Sequence, residues 1–159
     1  AYYIEPMEHH EHDGPEPLLN LDNQLCFAVY ATEHAFQRAY KPLLAELGLT
    51  YPQYLAMMVL WEGKPLTVNE LGRRLGLDSG TLSPLLKRLE AAGYIRRQRG
   101  REDERRVDLA LTEKGRAAQA KARNVAAAIA LKTGCSLDQA QSLLSELNAL
   151  RKRLLAPAG

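Results

Sequence analysis

The chain has 159 residues, 46% hydrophobic and 25% charged, with 21 Lys/Arg against 19 Asp/Glu for a formal net charge of +2. That length suits one domain with enough core to fold, and the composition is that of a soluble globular chain, not a disordered or fibrous one. No apolar run reaches the roughly 20 residues of a membrane span, and no secretory leader is visible.

Cys26 and Cys135 stand 109 positions apart, which makes neither a zinc pattern nor a CxxC pair. Two thiols in a chain without an export signal fit a reducing cytoplasm, and a cytoplasmic location is expected. No cofactor is expected.

In chain order, residues 1–22 come first, with six acids, no Lys or Arg, and three prolines. Residues 1–19 read as a flexible acidic tail. Met7 is a candidate natural start, the six residues before it then being additions. His9, His10 and His12 could hold a metal, but no Cys or other His lies near them; a solvated tail is the simpler reading and no metal site is expected.

Asn20 or Asp22 can cap a long helix to about Tyr40, with Leu21, Leu25, Ala28, Val29, Phe36 and Ala39 as its apolar stripe and Thr32 as the polar interruption. Pro42 is expected to end it, and residues 43–47 to form a short turn closed by Gly48. Thr50 with Gln53 is a capping box, Pro52 lies in the first turn, and that helix runs through Trp61. Tyr30 and Tyr54 read as core or pocket lining.

Thr67 with Glu70 is a second capping box, for a helix through Leu71 and Leu75 that stops at Gly76. Asp78 caps the next helix, where Leu82, Leu85, Leu86 and Leu89 recur at helical spacing and Gly93 closes. Pro84 lies past its first turn and is expected to sharpen or bend it. The short turn between the two suits a helix-turn-helix. The opposite face of the second helix carries Ser79, Thr81, Ser83, Lys87 and Arg88, small hydroxyls that can approach bases and cations that can pair with phosphate. Alone, this could equally be an ordinary solvated face.

The next segment decides between the two. Residues 94–99 read as a strand, and Val107-Asp108-Leu109-Ala110-Leu111 alternates as its returning partner. The polar tip between them, Gly100-Arg101-Glu102-Asp103-Glu104-Arg105-Arg106, cannot be core. From Lys64 to Arg106 there are 11 Lys/Arg and 6 Asp/Glu, a net of +5 against +2 for the whole chain. A basic hairpin beside a helix-turn-helix is an electrostatic footprint for a phosphate backbone. Thr112 caps a helix read as continuous from Lys114 to about Lys132. Ser136 with Gln139 caps a last one, carrying Leu137, Ala140, Leu143, Leu144, Leu147 and Leu150. The fold class expected is mainly α with a small β-wing, one unit over residues 20–159, with the winged helix-turn-helix at 64–112.

Asp103-Glu104-Arg105 and Leu111-Thr112-Glu113-Lys114-Gly115 resemble the wing signature and wing exit of the MarR family of transcriptional regulators, and the likeness covers roughly residues 20–155. The resemblance implies that Arg105 reaches the DNA minor groove, where a narrow A·T-rich groove favours a cation, and that Asp103 braces it. The apolar stripes of residues 20–48 and 114–155 must be covered, and a symmetric homodimer is the expected cover, with one intramolecular bundle as the other reading. A dimer sets two recognition helices about one turn of double-stranded DNA apart, which matches a pseudo-palindromic operator.

Cys26 lies in the first turns of the N-terminal helix, where the helix dipole favours a thiolate; by position alone a buried packing cysteine is the commoner reading. Its context, Leu21-Asp22-Asn23-Gln24-Leu25-Cys26-Phe27-Ala28, resembles the organic-hydroperoxide-sensing branch of MarR regulators, the Ohr-type repressors. The resemblance implies that Cys26 is the peroxide-reactive thiol and that Tyr40 and Tyr51 hydrogen-bond to it. Tyr40 is 14 residues beyond Cys26, or roughly 21 Å along one helix, so on a continuous helix only an antiparallel partner's Cys26 is within its reach. The bland reading of each tyrosine is a core aromatic.

Cys135, beside Gly134 at a helix junction, matches by region the resolving cysteine of two-cysteine members. That implies an intersubunit disulfide with Cys26 and release of DNA; a spectator thiol is the other reading. The function expected is therefore a repressor induced by organic hydroperoxide. The alternatives are a MarR-type repressor released by a non-covalent phenolic ligand, and a thiol peroxidase, for which a basic wing has no use.

Overall fold

The computed structural model describes residues 17–158. The expectations for Met7, for His9, His10 and His12, and for the tail as far as residue 16 lie outside the described residues. The chain divides into two compact units, one ending at Gln37 and the other beginning at Arg38.

Two 3-10 turns, Pro17–Leu19 and Leu21–Asn23, precede helix α1, Leu25–Ala45, whose residues up to Gln37 belong to the first unit. Asn20 Oδ1 accepts the Asp22 N–H at 2.9 Å, and the side-chain amides of Asn23 and Gln24 donate to the carbonyls of Pro17 and Leu18 at 3.0 and 2.6 Å. Asn20 thus caps the short turn, and α1 starts later than expected, at Leu25. The Thr32 hydroxyl donates back to the Ala28 carbonyl at 2.7 Å, which satisfies the one polar group on the stripe. Tyr30 is not core: it is 61% exposed, with its ring 4.2 Å from that of His34.

Helix α1 does not end at Pro42 but runs three residues past it to Ala45. Proline lacks the N–H that would bond Arg38, which costs one ladder bond. Leu44, 1% exposed, is held in the core just beyond it, and burying such a side chain is worth roughly 1.5–3 kcal/mol.

The second unit carries the core. Helix α2, Tyr51–Trp61, opens on the Thr50–Gln53 capping box, and α3, Val68–Leu75, opens on the Thr67–Glu70 box and closes on Gly76 at φ +66°. Helix α4, Ser79–Ala91, is capped by Asp78, whose Oδ1 accepts the Thr81 N–H at 2.7 Å. Pro84 lies inside α4. Strands β2, Ile95–Arg99, and β3, Val107–Leu111, pair antiparallel with Ile95 opposite Leu111. A third strand that the sequence reading missed, β1 at Leu66–Thr67, pairs with β3, giving the sheet order β1-β3-β2.

Helix α5, Glu113–Ala117, and α6, Gln119–Thr133, replace the single helix expected over this stretch; the break falls at Ala118. Helix α7, Leu137–Leu155, opens on the Ser136–Gln139 capping box. Tyr54, Met57, Leu71, Leu86, Leu89 and Ile95 centre the core, and α2, α3, α4 and the sheet close on it. None of α7 is buried, and Leu137, Leu143, Leu144, Leu147, Leu154 and Leu155 are all exposed in the single chain.

Candidate nucleic-acid interface and thiols

Burying Leu82, Leu85, Leu86 and Leu89 turns the other face of α4 outward, and Ser79, Thr81, Ser83, Lys87 and Arg88 are all exposed on it. Between α3 and α4 lies a hollow of about 680 Å³ whose lining includes Asn69, Arg73, Ser79, Ser83 and Arg97. No local motif in the sequence marks Asn69, Arg73 or Arg97. Their signal was only the net positive charge of the segment, because which cations reach the hollow depends on how α3, α4 and β2 pack.

The wing tip is a closed turn. The Gly100 N–H donates to the Arg106 carbonyl at 2.7 Å, and the Arg106 N–H to the Asp103 carbonyl at 3.1 Å. A Cβ at Gly100 would come within 2.8 Å of the Asp103 carbonyl oxygen, so the turn needs glycine there. Asp103 and Arg105 are brought together, but through the backbone: Asp103 Oδ1 accepts the Arg105 N–H at 3.0 Å. The second arginine of the pair, Arg106, donates from Nε to Asp108 Oδ1 at 2.9 Å. Asp103, Arg105 and Arg106 share a cleft of about 350 Å³ with Thr67, Glu70 and Arg73 at the start of α3.

The C-terminal end of α4 is fastened on several sides. Lys114 Nζ donates to the Ala92 carbonyl at 2.7 Å, the Thr112 hydroxyl to the Gly93 carbonyl at 2.5 Å, and the Thr112 N–H to the Tyr94 carbonyl at 3.0 Å. A cation on the last carbonyls of a helix also suits its dipole. Lys114 Nζ lies 4.7 Å from the centre of the Tyr94 ring. The Tyr94 hydroxyl donates to the buried Leu47 carbonyl, and Trp61 Nε1 donates to the Gly115 carbonyl at 2.8 Å. Gly115 packs so close that a Cβ on it would overlap the Tyr94 carbonyl oxygen. The residues read as a wing exit, Thr112 to Gly115, therefore hold the end of α4.

The two thiols are free: Cys26, the second residue of α1, is exposed, and Cys135 is half-buried between α6 and α7. The Cys135 N–H donates to the Thr133 hydroxyl at 3.3 Å. Tyr40 and Tyr51 are brought together with ring centres 4.7 Å apart, and Tyr54 stands 5.5 Å from Tyr40. Burial, reinforced by Tyr54 and then Tyr51, pushes the Tyr40 phenol up to about 12, so it keeps its proton and remains a donor at neutral pH. Tyr40 and Cys26 both lie in α1, 14 positions apart.

Among the described residues no group of three or more His, Cys, Asp or Glu is placed to hold a metal ion. No described helix is long and apolar enough to cross a membrane.

Comparison with known proteins gives consistent results. Residues 38–121 match the family of transcriptional regulators SarA/Rot. The chain is 54% identical over 147 residues to the HTH-type transcriptional regulator TtmR of Methylorubrum extorquens (strain PA1), covering 92% of this chain and 74% of that one. It is 47% identical over 132 residues to the organic hydroperoxide resistance transcriptional regulator of Bacillus subtilis (strain 168), covering 81% and 90%. Among solved structures, reduced AbfR bound to DNA matches with a TM-score of 0.71 and 38% identity, covering 86% of this chain and 95% of that one. Disulfide-formed AbfR matches at 0.63 and 38%, covering 86% and 93%. The fold, the wing and these likenesses agree: the chain belongs to the SarA/Rot family of MarR-like transcriptional regulators.

Proposed function

We propose that this regulator is a homodimeric repressor that senses organic hydroperoxides through Cys26, and that oxidation releases it from operator DNA. The observation that carries the redox reading is the exposed Cys26 thiol in the opening turn of α1, in a chain 47% identical to an organic hydroperoxide resistance regulator. That AbfR has been solved both reduced on DNA and disulfide-formed supports the same reading.

In this reading α4 enters the major groove, with Ser79, Thr81, Ser83, Lys87 and Arg88 toward bases and phosphates, and Arg105 enters the minor groove on a loop held by Asp103. A second copy covers the apolar faces of α1 and α7, and the pair reads a pseudo-palindromic site in double-stranded DNA. The Cys26 thiolate attacks the terminal oxygen of the hydroperoxide. The O–O bond breaks, the alkoxide takes up a proton and leaves as an alcohol, and Cys26 becomes a sulfenic acid. The thiolate of the partner subunit's Cys135 then attacks that sulfur, a disulfide forms, and hydroxide leaves and is protonated to water. Tyr40, kept protonated, and Tyr51 donate to the Cys26 of the antiparallel partner.

A second reading has one observation in its favour. Tyr54, Met58, Trp61, Ala122, Arg123 and Ala126 line a mainly apolar hollow of about 250 Å³ between α2 and α6, which suits a phenolic ligand acting without covalent change.

A non-reducing denaturing gel, before and after one equivalent of tert-butyl hydroperoxide, tests the thiol chemistry. The proposal expects a reducible dimer band that needs both Cys26 and Cys135. No band in the wild type would remove Cys135 from the mechanism. Retained induction in Cys26→Ser would favour the phenolic ligand, and sustained peroxide turnover with a thiol reductant would favour a peroxidase.

A further inference from the structure

The break between α5 and α6 has an identifiable cause. In an uninterrupted α-helix the Gly115 carbonyl would accept the N–H of residue 119, four positions on. Here that carbonyl accepts the Trp61 indole N–H at 2.8 Å, and the helix is interrupted at Ala118, immediately before Gln119. The regular pattern continues on either side, with the Ala118 N–H on the Lys114 carbonyl at 3.0 Å and the Ala122 N–H on the Ala118 carbonyl at 3.0 Å. A side chain inserted into the ladder is a recognised cause of a helix break. Gly115 thus has two donors available to it, Trp61 from α2 and Gln119 from its own helix.

The two ends of this segment matter equally. Cys135 follows the far end of α6, two residues after Thr133. The near end is fixed to the end of α4 by Lys114 on Ala92 and by Thr112 on Gly93 and Tyr94. Because Gly115 is packed against the Tyr94 carbonyl, movement of α5 cannot be absorbed there without moving Tyr94, three residues beyond Ala91 at the end of α4.

We propose that Trp61 is a positioning residue for the recognition helix: its hydrogen bond to Gly115 is a latch that keeps the α5–α6 break open and α4 in its DNA-reading orientation. Displacement of α6 from the Cys135 end releases the latch, the Gly115 carbonyl returns to Gln119, and the straightened helix pulls the end of α4 through Lys114 and Thr112. The signalling half of this inference rests on the disulfide reading above. The positioning half does not, because the latch acts in the reduced protein.

The chain has a single tryptophan, so its fluorescence reports the latch directly. The test uses wild type, Trp61→Phe, which keeps an aromatic ring but removes the donor, and Lys114→Met, which keeps the stem but removes the bond to Ala92. DNA is a duplex enriched by the reduced wild type from a random-sequence library.

In Trp61→Phe, folded by circular dichroism and still forming the disulfide, reduced-state affinity is expected to fall at least about fivefold, the effect of one well-placed hydrogen bond. The affinity ratio between reduced and oxidised protein should shrink with it. In Lys114→Met, the Trp61 emission should still shift on oxidation, as in wild type, while the affinity ratio shrinks. Wild-type reduced affinity in Trp61→Phe overturns the latch. If that variant does not fold, an unchanged affinity ratio in Lys114→Met, or wild-type emission that oxidation leaves unmoved, overturns it instead. A wild type with no redox-dependent affinity defeats the disulfide reading and the signalling half, while the Trp61→Phe comparison in the reduced state still decides the positioning half.

Discussion

The Glu90 carboxylate accepts the backbone N–H of Arg97 at 3.0 Å and its guanidinium at 3.2 Å, joining the last turn of α4 to the first wing strand. One acidic side chain thus ties together the two elements proposed to read DNA. The side-chain and then the backbone bond from Arg97 hold the Glu90 carboxyl below its ordinary value of 4.5. A depressed carboxylate contributes stability that is present above its unfolded pKa and is lost as pH falls through its folded one. The melting-temperature difference between wild type and Glu90→Gln should be greatest near neutral pH and shrink as the pH falls below the ordinary carboxylate range. Glu90→Gln should also bind the selected duplex more weakly at neutral pH. A pH-independent difference in melting temperature would show that the pair does not act through charge.

Gly115→Ala tests the close approach of α5 to Tyr94. The added methyl overlaps the Tyr94 carbonyl, and backbone cannot rotate away as a flexible side chain can. Overpacking of this kind costs about 1–3 kcal/mol. Urea unfolding should show that loss, and DNA affinity should drop even at low temperature, where the variant is folded. A variant as stable as wild type would show that the contact relaxes freely.

The proposed DNA contacts separate by their salt dependence. Lys87→Ala removes a phosphate partner and should weaken binding to all duplexes alike, lowering the slope of log affinity against log salt by about 1. Arg105→Ala should cost about 1–3 kcal/mol, with the greatest loss on duplexes carrying an A·T-rich segment under the wing. Equal loss on A·T-rich and G·C-rich flanks would move Arg105 from groove reading to simple phosphate contact.

Leu144 and Leu147 are 62% and 48% exposed on α7 in the single chain. If a second copy covers them, Leu144→Glu with Leu147→Glu should convert a dimer to a monomer in sedimentation equilibrium while leaving the helix-turn-helix folded. An unchanged dimer would place the interface elsewhere.

Much of this molecule is legible in its sequence because the signals are local. Thr50, Thr67, Asp78, Thr112 and Ser136 each cap a helix through a side-chain oxygen that accepts an N–H three residues on, and a cap and its target are close in sequence. The period-two run at Val107–Leu111 gives its strand for the same reason. What the sequence hides is non-local. Strand β1 is two residues long and exists only because β3 offers it an edge, so no periodicity announces it. The break at Ala118 comes with a bond from Trp61 to the Gly115 carbonyl, 54 positions along the chain. Pro42 reads as a helix end, yet the turn continues because Leu44 packs into the core beyond it. At the site, the exposed face of α4 is legible from its leucines, whereas the addition of Arg73 and Arg97 to the adjoining hollow depends on packing.

The most direct test of the central claim is fluorescence anisotropy of the selected duplex titrated with reduced protein and with protein treated with one equivalent of tert-butyl hydroperoxide, in wild type, Cys26→Ser and Cys135→Ser. Tight binding by all three when reduced, release of wild type on oxidation, no response in Cys26→Ser, and release in Cys135→Ser only with a small thiol or excess peroxide is the expected result. Binding by oxidised wild type with the reduced protein's affinity, or peroxide release of Cys26→Ser, would contradict it.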